Sequence, residues 1–262
     1  MTRHKVVMIN GSPRKKRTQS LLLGLKGLLE NEDFQVEIVN LSDYEIKTCR
    51  GCEVCITKGS CVIKDDMEVL KEKMINSDGL VLATPVYMRH VSGTLKNFID
   101  RTCSWFHRPE LTGKVLLPVA TTAGSALKQT LDFLGEVAYQ WGMVSVQGIG
   151  RSVSNLHVDL KKKEYMALVE TIKHGSRNHK PSLEALMSYQ VQRVLAEKIL
   201  TIDGDFWREK GWDKQIYYYS CRIGVVKRLL ASLLYAILMK RISSVENDVE
   251  AQKGKDDERI ST

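Results

Sequence analysis

Over its first 150 residues the chain alternates short apolar runs with helical patterns, and this order restricts its fold more than any other feature. Runs of β type cover residues 5–10, 34–41, 79–84, 115–121 and 144–148; helical patterns cover 19–30, 66–76 and 126–141. Strands that must wait for a helix before the next strand return parallel to one another. The pattern therefore predicts an α/β fold, a doubly wound parallel sheet of five strands with helices on both faces. Ligands of such sheets bind outside the carboxyl ends of the strands.

Three of those strand ends carry unusual loops: Asn10-Gly11-Ser12-Pro13, Thr84-Pro85-Val86-Tyr87 and Thr121-Thr122-Ala123-Gly124. Small, hydroxylated and turn-forming residues let the backbone approach a flat ligand and donate N–H groups to it. The first loop continues as GSPRKKRTQS, placing four consecutive cations between a buried strand and a helix. Such a turn suits an anion, because the helix N-terminus adds backbone donors and the positive end of its dipole. Ser12 and Thr18 supply hydroxyls, and a phosphate monoester fits. Neither G-x-x-x-x-G-K-[ST] nor G-x-G-x-x-G occurs in the loop, which excludes a Walker loop and a dinucleotide fingerprint. A basic surface turn that caps its helix through Thr18 is the plainer alternative.

The segment CRGCEVCITKGSC spaces Cys49, Cys52, Cys55 and Cys61 as C-x2-C-x2-C-x5-C. Short gaps of this kind point successive sulfurs toward a common centre, the ligand logic of a 4Fe-4S cluster. Zinc sites more often separate two C-x2-C pairs by a longer stretch, so zinc and free or redox-paired thiols stand as the other readings. Lys47, Arg50, Lys58 and Lys64 surround the loop and would offset the charge of a thiolate-ligated cluster. Cys103 and Cys221 stand apart and read as buried apolar residues.

Gly11-Ser12-Pro13-Arg14 with Thr18-Gln19-Ser20 form one motif; Pro85, Tyr87, Gly93, Leu95-Lys96 and Asp100-Arg101 form a second. Together, over about residues 4–150, they resemble the NADPH-dependent FMN reductase family of flavodoxin-like flavin and quinone reductases. The resemblance implies a sheet of order 2-1-3-4-5 and FMN as cofactor, its phosphate held by Ser12, Arg14, Thr18, Gln19 and Ser20. It implies that Pro85, Val86, Tyr87 and Met88, with Thr121, Thr122, Ala123 and Gly124, line the isoalloxazine ring. The cysteine spacing, directly after the second strand, resembles the iron-sulfur flavoprotein branch of the same family. An FMN-dependent oxidoreductase carrying a 4Fe-4S cluster is the expectation, with NAD(P)H or ferredoxin as electron donor. No catalytic acid or base is assigned, because flavin chemistry asks the protein for placement and polar contacts. Asp100 and Arg101 could equally form an ion pair on their own helix. The resemblance also implies a homo-oligomer, a dimer or tetramer.

After about residue 150 the alternation stops. The expected division is a flavodoxin-like domain at 1–150 with its cysteine loop at 49–61, a helical C-terminal extension at 151–243, and a disordered tail at 244–262. Pro181-Ser182-Leu183-Glu184 reads as a helix start capped by Ser182. The last helix, around 227–241, is apolar from Leu229 to Met239 except for Ser232 and is bracketed by Lys227-Arg228 and Lys240-Arg241. It falls short of the roughly 20 residues a bilayer span needs. It reads as a buried or dimer-interface helix, or as a peripheral membrane contact on anionic lipid.

A net charge of +8 is compatible with phosphorylated ligands, anionic lipid or nucleic acid, but no basic motif interleaved with base-stacking aromatics appears, so no nucleic-acid partner is expected. MTRHKVVMING enters a strand within five residues and lacks a signal-peptide pattern, which places the protein in the cytoplasm as an expectation. Two other functions fit parts of the pattern. A cluster-free NAD(P)H-dependent FMN or quinone reductase needs the first two motifs alone, and a non-enzymatic metal or thiol redox sensor needs the cysteines and the last helix. A phosphoester hydrolase lacks its nucleophile, since no Cys-x5-Arg loop occurs.

Overall fold

The structure is a computed structural model that describes residues 3–175 and 178–242. Strands β1 (Lys5–Asn10), β2 (Gln35–Asn40), β3 (Gly79–Pro85) and β4 (Val115–Thr122) pair in parallel with β5 (Val144–Ser145) and β6 (Ile149–Ser152). The order is β2-β1-β3-β4-β5, the flavodoxin-like order, with β6 also beside β4. Every residue of β3 and β4 is buried, as expected of central strands covered on both faces.

Alternate side chains divide between two cores. Val7, Ile9, Leu80, Leu82 and Leu116 meet α3 (Met67–Ile75), α4 (Gly93–Asp100) and α6 (Leu127–Gln140) on one face. Val6, Met8, Val81, Leu117 and Val119 meet α1 (Arg17–Asn31) and α7 (Lys162–Lys173) on the other. Two four-residue helices, α2 (Val54–Thr57) and α5 (Ser104–His107), lie in the loops that follow β2 and α4.

The fifth strand is not the continuous run expected over 144–148. β5 pairs with the start of β4, β6 with its end, and the register shifts by one residue between them. The break lies opposite Pro118, which has no N–H to give the ladder on that side; a Cβ on Gly148 would sit 3.1 Å from the Pro118 carbonyl oxygen.

The expected boundary at residue 150 falls inside β6. Beyond it, Tyr165, Leu168, Val169 and Ile172 of α7 pack into the sheet core, so the layered unit runs to Lys173. The polar lysines at the start of α7 hide this in the sequence, since its apolar positions recur at helical rather than strand spacing.

Helices α8 (Leu183–Lys198), α9 (Thr201–Glu209) and α10 (Val225–Arg241) then build a separate aromatic core. Ser182 caps α8 by accepting from the Ala185 amide at 3.1 Å. Tyr189 at its centre donates to the Trp212 carbonyl at 2.5 Å, with Trp207 and Tyr218 against its ring. Among the described residues no helix is long and apolar enough to cross a membrane. The tail expected at 244–262 lies outside the described residues.

Leu168→Ala is expected to lower the unfolding free energy by about 2–5 kcal/mol in urea titrations, because it opens a cavity in the sheet core. A loss under about 0.5 kcal/mol would mean that α7 belongs to the extension.

Candidate functional site

The first loop is built around Asn10, the fully buried last residue of β1. Its Nδ2 donates to Gln19 Oε1 at 2.7 Å and to Asn40 Oδ1 at 2.9 Å, while its Oδ1 accepts from the Ser12 amide at 3.1 Å. Three neighbours thus fix where the loop leaves the sheet. Gly11 then passes so close to α4 that a Cβ would stand 2.5 Å from Leu95 Cβ. Ser92, the N-cap of α4, accepts from the Leu95 amide at 3.2 Å and donates to the Gly11 carbonyl at 2.5 Å, tying the first loop to the second.

Helix α1 begins with no side-chain cap and with no acidic residue in its first turn. Its first backbone N–H groups are therefore available, and the dipole favours an anion there. Thr18 does not cap it: its hydroxyl pairs with that of Thr121 at 2.9 Å, both buried.

A cavity of about 320 Å³ opens over this helix end. Ser12, Arg14, Thr18, Pro85, Val86, Tyr87, Thr121, Thr122 and Ala123 line it together with Lys16, Arg17 and Leu156. Arg14 donates to the Tyr87 hydroxyl at 2.9 Å across the cavity. The Ser12 hydroxyl donates to the Arg14 carbonyl at 2.7 Å and accepts from the Arg14 amide at 3.3 Å, shaping the loop. Lys15 turns away to Asp43 at 2.8 Å.

Four of the expected residues do not line the cavity. Gln19 spends its amide oxygen on Asn10, Ser20 is exposed on α1, Gly124 is exposed beyond β4, and the Met88 side chain is 98% exposed. Met88 and Arg89 hold φ of 45° and 67°, a strained left-handed pair that closes the turn bridging Tyr87 to His90. Ser92 and Leu156 are positions that the loop motifs did not indicate, and Asn10, named in the first loop, has a bracing role that the motif did not reveal.

The donor set at the cavity suits FMN: cations and free helix N–H groups for a phosphate, and the Pro85-Val86-Tyr87 segment with buried threonine hydroxyls for a ring with polar edges.

The cysteine loop lies beside α4. One left-handed residue reverses the chain in each gap between sulfurs: Gly51 at φ 63°, Glu53 at 57° and Gly59 at 84°. The ends of the loop are stitched by Arg101, whose guanidinium reaches both oxygens of Asp65, the Lys47 carbonyl at 2.8 Å and the Cys61 sulfur at 3.7 Å. Asp65 also accepts from the Lys47 amide at 2.8 Å. Asp100 pairs instead with Lys96 at 2.5 Å, so the ion pair considered between Asp100 and Arg101 does not form. Asn97 adds a contact at Cys49, whose amide donates to its Oδ1 at 3.2 Å.

The middle of the loop is held by Arg108, which the extension braces. Arg108 donates to the Cys55 and Ile56 carbonyls at 2.7 and 3.0 Å, and its other nitrogen pairs with Asp203 of α9, which also meets His107 Nδ1 at 2.9 Å. Asp203 is fully buried; Arg108 balances its charge at one carboxylate oxygen, and His107 gives the other oxygen a hydrogen-bond partner.

All four cysteines of the loop are free thiols. Burial pushes the Cys55 thiol up, and the neighbouring Cys61 and Cys49 sulfurs push it further. Among the described residues, no group of three or more His, Cys, Asp or Glu side chains is gathered closely enough to hold a metal ion. The donors match an iron-sulfur cluster in type and spacing, but the sulfurs are not drawn to one centre. Cys103, expected to be buried, is exposed at the N-cap of α5, where partial desolvation and then the Cys55 and Cys49 sulfurs raise its thiol pKa. Cys221 is half-buried.

Residues 4–157 match the family described as NADPH-dependent FMN reductase. An iron-sulfur flavoprotein of Archaeoglobus fulgidus is 35% identical over 219 residues, which cover 79% of this chain and 99% of that protein. The chain belongs to the NADPH-dependent FMN reductase family. It is a flavin-dependent oxidoreductase, and FMN is the cofactor of its family. A second iron-sulfur flavoprotein of the same organism is 40% identical over 119 residues, 45% of this chain and 59% of its own length. The solved structure of RosB with a bound flavin phosphate intermediate superposes with a TM-score of 0.53 at 15% identity, covering 85% of this chain and 92% of that one, and shares the fold.

Burial acts to raise the Asp65 carboxyl, but the Arg101 and backbone hydrogen bonds together hold it below its usual value. Its contribution to stability is then complete above the unfolded carboxylate pKa, about 3.9, and is lost as pH falls through the lower folded value. Asp65→Asn should cost about 3 kcal/mol at pH 7 by leaving buried Arg101 without a counter-charge. The difference from wild type should shrink below pH 4 in denaturant titrations; a pH-independent difference would contradict this role.

Proposed function

We propose that this reductase-family protein is an FMN-dependent electron-transfer oxidoreductase whose 4Fe-4S cluster, on Cys49, Cys52, Cys55 and Cys61, stands beside the flavin. The observation that carries the reading is the joint placement of the two sites. Helix α4 presents Ser92 to the flavin loop at one end and Asn97 and Arg101 to the cysteine loop at the other. The name of the Archaeoglobus relative supports the cluster.

The FMN phosphate would lie over the α1 N-terminus. There Arg14, Lys16 and Arg17 neutralise its charge, and the first-turn N–H groups donate to it. Pro85, Val86 and Tyr87 form one wall for the ring, and Thr121, Thr122 and Ala123 form the other. When bound, FMN supplies both hydride and one-electron chemistry. The chain itself orients the ring and screens it, and Arg101 places a fixed positive charge against the sulfur of Cys61. Electrons enter from NAD(P)H, as the family description suggests, or from a reduced ferredoxin.

A second reading is a cluster-free NAD(P)H-dependent flavin or quinone reductase, favoured by the ungathered sulfurs. Anaerobic purification followed by a visible spectrum and iron and sulfide analysis decides between the two. The proposal expects a flavin spectrum on a broad iron-sulfur background, with about four irons and four sulfides per chain. Flavin without iron would establish the second reading, and a colourless protein that does not take up added FMN would overturn both.

A further inference from the structure

Helix α10 is apolar on two opposite sides. One side, with the fully buried Ala231, lies on α8. Tyr235 binds there through its hydroxyl to Glu197 at 2.7 Å and through its ring to Arg193, while Lys227 reaches the Pro181 carbonyl at 3.1 Å.

The other side faces outward. Val225, Val226, Leu229, Leu230, Leu233 and Ile237 are all exposed, Leu229 at 65% and Leu233 at 58%. At helical spacing they fall within an arc of about 140°. An unbroken apolar stripe of this kind is a docking face.

The charges around the stripe select its partner. Besides Lys227, which is tied to Pro181 on the α8 side, helix α10 carries Arg228, Lys240 and Arg241 and no acidic residue. Self-pairing along the stripe would set cation against cation at both ends, whether the helices ran parallel or antiparallel. The residues after 242 include only Val245, Val249 and Ile260 as large apolar side chains, too few to cover six. At the N-terminal end of α10 a hollow of about 510 Å³ joins Pro181, Ile223, Val225 and Val226 to the cations Lys180 and Arg222. Apolar surface fringed by cations at both ends complements a bilayer with anionic headgroups, where acyl chains take the stripe and lysine and arginine side chains snorkel to the phosphates.

We propose that α10 is an interfacial membrane anchor, lying flat in the headgroup region of an anionic bilayer and holding the redox domain at its surface. This assignment does not depend on the cluster or on the electron donor. The helix does not span the bilayer.

The test is flotation of the full-length, flavin-loaded protein with vesicles of phosphatidylcholine alone or mixed with phosphatidylglycerol. Flotation is expected with the anionic vesicles, weakened at about 0.5 M salt, and absent with phosphatidylcholine alone. The double variant Leu229→Asp/Leu233→Asp should stay in the soluble fraction, and Lys240→Glu/Arg241→Glu should bind at least about tenfold more weakly. Both pairs are exposed, so unchanged circular dichroism and flavin content will show that each variant is folded.

The proposal is overturned if wild type ignores anionic vesicles, or if it binds both vesicle types and the variants equally. Light scattering without lipid adds one further contrary outcome. If the leucine variant halves the mass of a protein that does not bind vesicles, the stripe is a contact between copies of this chain.

Discussion

A helix that starts without a side-chain cap leaves backbone donors directed out of its end, and α1 does so at the carboxyl rim of a buried parallel sheet with Arg14, Lys16 and Arg17 around the opening. Like charges gathered over a positive dipole end repel one another unless an anion joins them. What keeps them there is the apolar sheet below, which fixes β1, and the Asn10 side chain, which sets the angle at which the loop departs. Ser92 carries that restraint to α4 and the second loop. The cavity follows from these contacts, and the remainder of the site is arranged around it.

The cysteine loop has almost no regular structure, so its position depends on side chains that reach into it. Arg101 gathers the two ends and Arg108 the middle, each with a buried carboxylate behind it. Buried ion pairs add little net stability over apolar substitutes, yet losing one partner is costly, so they act as locators. Because Asp203 belongs to α9, the helical extension is part of what shapes the loop. Arg101 is thus a cation in direct contact with a loop sulfur, whereas Lys47 turns to Glu45 and to the Lys64 carbonyl.

Most of the sheet was legible because its signal is local: apolar runs at strand length, separated by helical spacing, leave one order of layers open. The break between β5 and β6 was not, since it arises from Pro118 on the neighbouring strand. The core role of α7 was hidden by its lysines. Motifs located the flavin loops through glycine, proline and hydroxyl residues, but could not separate side chains that face the cavity from Gln19, which braces the loop, or from Ser20, which is exposed on α1. Arg108 and Asp203 lie 95 residues apart, and no periodicity connects them. Cys103 misled because a lone cysteine is more often buried than exposed.

The central claim is that the α1 N-terminus and its cations exist to hold a phosphate. Calorimetric titration of the flavin-free protein with FMN and with riboflavin tests it most directly, since the two differ by that group alone. The account predicts that FMN binds at least about a hundredfold more tightly, the worth of roughly two charge-assisted hydrogen bonds, and that the advantage shrinks as salt is raised. Equal affinity for the two flavins would contradict it.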